Sequence, residues 1–187
     1  MKTSLRSSLA LATLSLALTT VSFAAENEPG YVDIGQLLPA SKGQFVEVNL
    51  SPGLIKFAAR LAKKQEPEAA ELLGNLKRVR VNVIGLDDAN RAGTVEKIEA
   101  VRRQLEAQGW TKMVTVREKN GGDNVDVHVK QLNDDVIQGL VVTVIDKKGE
   151  AVFVNIVGNI KAEQLGELAE KLDIEPLRKA KVRISKS

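Results

Sequence analysis

Two hydrophobic periods divide the chain from Phe45 onward. Alternation of apolar and polar residues in "FVEVNL" (45–50), "RVRVNVIG" (78–85), "KMVTVRE" (112–118), "VDVHVKQ" (125–131), "LVVTVID" (140–146) and "AVFVNIVG" (151–158) predicts six strands. Helical spacing fills much of what lies between. Ser51 and Pro52 open a helix over about Gly53 to Gln65 with Leu54, Phe57, Ala58, Leu61 and Ala62 on its core face. A second segment starts at Pro67 and carries Leu72, Leu73 and Leu76. Asp87, Asp88 and Asn90 offer caps to a helix that reaches Gln108, with Val95, Ile98, Val101 and Leu105 as its stripe and Gly109 as its stop. A last helix is predicted over about Lys161 to Leu172, marked by Leu165, Leu168, Ala169 and Leu172. The turns "KNGGDN" (119–124) and "KKGE" (147–150) have hairpin chemistry and pair the strands beside them.

Single stripes on the helices and alternation in the strands predict an α+β fold in two layers: a mixed, mostly antiparallel sheet with helices on one face and water on the other. Val79, Val81, Val83, Val125, Val127 and Val129 then point to the helices. Arg78, Arg80, Asn82, Arg117, Asp126, His128 and Lys130 point outward, with Thr115 beside them. These seven are the candidate binding residues, because guanidinium groups on a rigid sheet grip carboxylates with two parallel hydrogen bonds. The expected partner is an envelope protein.

The envelope enters through the first residues. Lys2 and Arg6 precede the uncharged run Leu9 to Val21, which is too short to span a bilayer comfortably, and the small residues Ser22 and Ala24 follow. This predicts a signal peptide over residues 1–24, export, and a single domain over 25–187 that is soluble in the periplasm or outside the cell. Residues 25–44 read as an extended arm whose Tyr31, Val32, Ile34, Leu37 and Leu38 dock on the core, and 174–187 as a basic tail suited to weak contact with an anionic surface. The chain has no cysteine, which excludes a disulfide framework, a thiolate metal site, a cysteine nucleophile and a lipidated terminus. Of 27 Lys and Arg two lie in the signal, leaving 25 against 24 acids. That near-neutral balance removes the main support for nucleic-acid binding.

Candidate chemistry is sparse, and no catalytic residue, metal ligand or cofactor is assigned. His128 is the single histidine. Asp126 lies two residues away on the same strand, so the two side chains project in parallel and do not form the base and orienter of a triad; the expectation is a solvated strand histidine. Asp88, Asn90, Gly93, Glu96 and Glu99 match a calcium loop at positions one, three, six, nine and twelve, yet Ala92 stands at five and the stripe of Val95 and Ile98 claims the segment for a capped helix. "NGGD" joins two strands and is a turn, not a phosphate cradle. Asp87, Asp88, Asp134 and Asp135 leave open a carboxylate-dependent hydrolase of the envelope. An aromatic content of 3% offers such an enzyme little surface on which to stack a sugar.

The phrases "GYVDIGQLLP", "FVEVNLSPGLIKFAARL", "RVRVNVIGLDDANR", "LEAQGWTKMVTVREK" and "GLVVTVIDKKGEAVFVNIVGNIKAEQLGEL" resemble, in this order, the bacterial domain of unknown function 4252 family. The resemblance implies an exported bacterial α+β protein without an assigned activity. It also implies, as an alternative, an accessory role in extracytoplasmic stress signalling, because genes of the family often lie near alternative sigma factors. Some members look like lipoproteins; this chain departs from them in having no cysteine to acylate. The function expected on these grounds is a non-catalytic, exported binding module.

Overall fold

The computed structural model describes residues 28–33, 44–119 and 122–166. The signal segment, the second half of the arm (34–43), most of the expected last helix and the basic tail lie outside the described residues. The elements in chain order are β1 (Phe45–Leu50), α1 (Pro52–Ala62), α2 (Pro67–Asn75), β2 (Leu76–Gly85), α3 (Arg91–Ala107), β3 (Thr111–Arg117), β4 (Asn124–Gln131), β5 (Val136–Ile145) and β6 (Glu150–Lys161). A 3-10 turn over Ala162–Gln164 follows. The fold is α+β, as the sequence pattern predicts. Every strand pairing is antiparallel, in the order β1-β2-β6-β5-β4-β3.

That order explains where the helices lie. Strands β3 to β6 follow one another as hairpins, but β2 pairs with β6 and must reach β3 at the far edge. The chain makes this crossing as α3, which therefore lies over the sheet. Ile98 and Leu105 of α3 pack with Ile84, Val141, Ile145, Ala151 and Phe153. On the opposite face, Ile55 of α1 and Leu72 of α2 pack with Val79, Val127, Val142, Val154 and Ile156. The third helix thus departs from the expected arrangement. One sheet face meets α1 and α2, and the face expected to meet water meets α3.

Residues 28–33 of the arm also lie on the α3 face. Gly30 takes a φ of +90°, open to glycine without strain, and a Cβ added there would stand 2.2 Å from the Gln138 carbonyl oxygen. Its neighbour across the contact is Gly139, where a Cβ would lie 2.5 Å from the Gly30 Cα and 2.7 Å from the Trp110 ring. Two glycines therefore let the backbone of the arm touch the sheet. Asn155 fastens it: its Nδ2 donates to the Gly30 and Leu140 carbonyls at 2.9 and 3.3 Å, and its Oδ1 accepts the Val32 N–H at 3.1 Å. One buried side-chain amide takes the place of a strand partner.

Rotation of α1 is a second departure. Its core side is Ile55, with Ala59 and Ala62 half-buried, while Leu54, Phe57 and Leu61, expected in the core, are 55%, 54% and 65% exposed. Ser51 accepts the Leu54 N–H and starts the helix as expected. The segment resembling a calcium loop is the turn into α3: Asp87 Oδ1 accepts the N–H groups of Ala89 and Asn90, and Asn90 Nδ2 donates to the Gly85 carbonyl. The expected side-chain cap is not made, since Asn90 at the N-cap bonds back to the Asp87 N–H and not forward to the first turn of the helix. Val127 and Leu105 are core residues. Val83 is only half-buried, because its neighbour on β1 is the exposed edge residue Val46.

Candidate functional site

Strand register assembles the polar residues of the α3 face into rows. Asn82, Phe153, Thr143, Asp126 and Thr115 face one another in sequence across β2, β6, β5, β4 and β3. The next row runs Arg80, Asn155, Val141, His128, Lys112. Parity therefore places the candidate residues as expected, but their exposure is another matter. Asp126 and His128 are 0% exposed and Asn82 is buried, so the expectation of a solvated face is overturned at these three positions. The cause is α3 together with Trp110 and the arm, which close over the row centres.

Arg102, on the buried side of α3, is the centre of the closure. Its Nε donates to Thr143 Oγ1 at 2.8 Å and lies 2.8 Å from Asp126 Oδ2. Its Nη1 donates to Glu99 Oε1 at 2.6 Å and to Asn124 Oδ1 at 3.1 Å. Asp126 receives a second guanidinium from Arg117 at 2.7 Å, and its other oxygen accepts the Thr115 hydroxyl at 2.7 Å. Arg117 also donates to the Val125 carbonyl. Burial by itself would raise the Asp126 pKa. Hydrogen bonds from Arg117 and Thr115 and the charges of Arg102 and Arg117 outweigh it and hold the carboxylate below its ordinary range. Burial lowers the Arg102 pKa, with Asp126 and Glu99 opposing.

An Arg–Asp–Arg cluster of this kind is a poor proton acceptor, since both carboxylate oxygens already accept strong donors. Its hydroxyl neighbours are also engaged. What it can do is set the position of α3 on the sheet, because any slip would leave a buried charge unpaired.

His128 lies one row away. Neither ring nitrogen has a hydrogen bond, and the closest carboxylate oxygen, Glu106 Oε1 on α3, is 3.6 Å from Nε2. Burial lowers its pKa, with Glu106 and Asp126 opposing and Lys112 adding to the fall. Glu106 is itself held below its usual range, first by its hydrogen bond and charge interaction with Lys112. His128 is therefore a neutral, enclosed imidazole.

The remaining candidates serve the fold's margins. Arg80 pairs with Glu47 of β1 at 2.8 Å. Arg78 lies over the Tyr31 ring, 4.9 Å from its centroid, and near Glu28, where it helps to hold the arm. Lys130 donates to the Gln108 carbonyl at 2.7 Å and so caps the C-terminus of α3. Among the described residues no three His, Asp or Glu side chains gather as metal ligands would, and no helix is long and apolar enough to cross a membrane.

Arg102 is the functional residue that strand reasoning misses. A signal was present: Ile98, Arg102 and Leu105 are spaced i, i+4, i+7, so a cation stands in the buried stripe and requires a buried anion. The sequence pattern points to the exposed stripe of α1 as its core side because two sides of that helix carry apolar residues.

Fold and cluster together define a class: an α+β protein in which a crossover helix is locked to an antiparallel sheet by buried ions. The family model described as Domain of unknown function (DUF4252) matches residues 40–168. This is more than half of the 187 residues, and the chain belongs to that family. Neither the curated proteins nor the solved structures yield a match.

Proposed function

We propose that the protein is a non-catalytic, exported binding module of the bacterial envelope. The observation that carries this reading is the setting of Asp126: completely buried and saturated by Thr115, Arg117 and Arg102. The most prominent acid and the single histidine of the chain are thus spent inside the fold. Accessible chemistry lies elsewhere, at the β1–α1 edge, where five large apolar side chains, Val46, Val48, Leu54, Phe57 and Leu61, face solvent. Solitary exposed apolar residues are ordinary, but a concentration on one edge marks an interaction surface. The polar sheet face, closed by α3, gives way to this edge as the docking region.

Export rests on the charged start, the apolar run and the small residues before Ala25, with the absent cysteine favouring a soluble product over a lipid-anchored one. Two measurements test the proposal. Intact mass of the exported protein should correspond to a chain beginning at Ala25 or Glu26; retention of residues 1–24 would reject the cleavage. Affinity capture from the envelope should return a partner of the intact protein, whereas a small molecule turned over by the protein would reject the non-catalytic reading.

A further inference from the structure

We propose that α1 is a docking helix for an anionic lipid surface, a partner that specifies the binding-module reading above and rests on it. At 3.6 residues per turn the segment has three sides. Ile55, Ala59 and Ala62 form the side against the sheet. Leu54, Phe57 and Leu61, spaced i, i+3, i+7, form a stripe facing solvent. Lys56 and Arg60 occupy the third side, continued by Lys63 at the C-cap and Lys64 beyond it. From Ser51 to Gln65 there is no acidic residue.

Charge chooses among the occupants. A second copy meeting stripe to stripe would bring two cationic sides together. A negatively charged bilayer instead accepts the apolar stripe at the headgroup boundary and the cations among the phosphates. A fluid lipid surface needs no shape-matched counterpart to receive such a stripe. Val46 and Val48 widen the apolar edge on β1, against which α1 packs. Among the described residues no ion pair engages Lys56, Arg60, Lys63 or Lys64.

The absence of cysteine permits a local test in the full chain. Leu61→Cys carries an environment-sensitive fluorophore, and Gln104→Cys, exposed on α3, carries the same label as a control. Vesicles of phosphatidylglycerol mixed into phosphatidylcholine should raise and blue-shift the emission at position 61 and leave position 104 unchanged, whereas phosphatidylcholine alone should do neither. Lys56→Glu with Arg60→Glu should weaken the response at least about tenfold, and added salt should weaken it further. Both positions are exposed, so these variants keep the fold, which circular dichroism verifies. An unresponsive label at 61, an equal response at 104, or an emission change that depends on protein concentration without vesicles overturns the proposal; the last of these identifies a second copy as the occupant. If the doubly charge-reversed protein loses vesicles yet still captures a protein from the envelope, the binding-module reading stands without its lipid. Loss of every partner, with turnover of a small molecule, removes both.

Discussion

The two faces of the sheet are covered by different physics. Beneath α1 and α2 lies an aliphatic layer of Val79, Val127, Leu140, Val142, Val154 and Ile156, whose contacts are non-directional. Beneath α3 the apolar residues Phe153, Val141 and Trp110 share the interface with Arg102, Asp126, Thr143, His128 and Asn155. A layer of the first kind tolerates small shifts. The second permits one placement, because each polar group has a cost if its partner moves. The crossover helix is held by specific pairs, and the helical hairpin by area.

Asp126→Ala should have the largest effect, a loss of about 3–5 kcal/mol in urea unfolding, since it takes the buried carboxylate from Arg102, whose side chain is 3% exposed, and leaves it only the partly exposed Glu99 as an anionic partner. Adding Arg102→Met to Asp126→Leu should return most of that loss by converting the pair into a dry contact. A double variant as unstable as Asp126→Ala would mean that the ions stabilise α3 beyond avoiding their own burial cost.

Leu140→Ala on the other face should cost about 3 kcal/mol, a cavity and transfer effect without electrostatic content. Its cost should be independent of salt and pH. A marked salt dependence would break the contrast between the faces.

Acid should act only on the α3 face, in two windows. His128 has its pKa lowered by burial, so below about pH 6.5 the unfolded chain binds more protons than the folded one. Its contribution is present above that value and declines as pH falls, by at most about 1.4 kcal/mol per pH unit. Asp126 is also lowered; its contribution is present above about pH 4 and is lost as pH falls through the folded value. Urea titrations of His128→Leu between pH 4.5 and 6.5, a window of about two units, should show a flatter profile than the parent protein. An unchanged slope would assign that window to other groups.

The smallest effect is expected at Leu61→Gln, below about 0.5 kcal/mol, because the side chain is 65% exposed. A larger loss would show that the outer stripe of α1 contributes to the fold.

Strand positions, hairpins, the start of α3 and the parity of every polar candidate were legible because they depend on neighbours within a few residues. Alternation requires Asp126 and His128 to share a face whatever lies above them. Coverage of that face was not legible, because it depends on strand order: with β2 beside β6, the path to β3 has to cross the sheet, and α3 is that path. The same limit applies to α1. Its amphipathic period is local, but with Leu54, Phe57 and Leu61 on one side and Ile55, Ala59 and Ala62 on another, the pattern has two apolar answers. Only packing against α2, β2 and β1 selected the side that is buried. The sequence alone determined which residues share a surface; the long-range pairing of strands decided which surfaces see water, because burial is a property of what the distant chain brings across, not of the period within a segment.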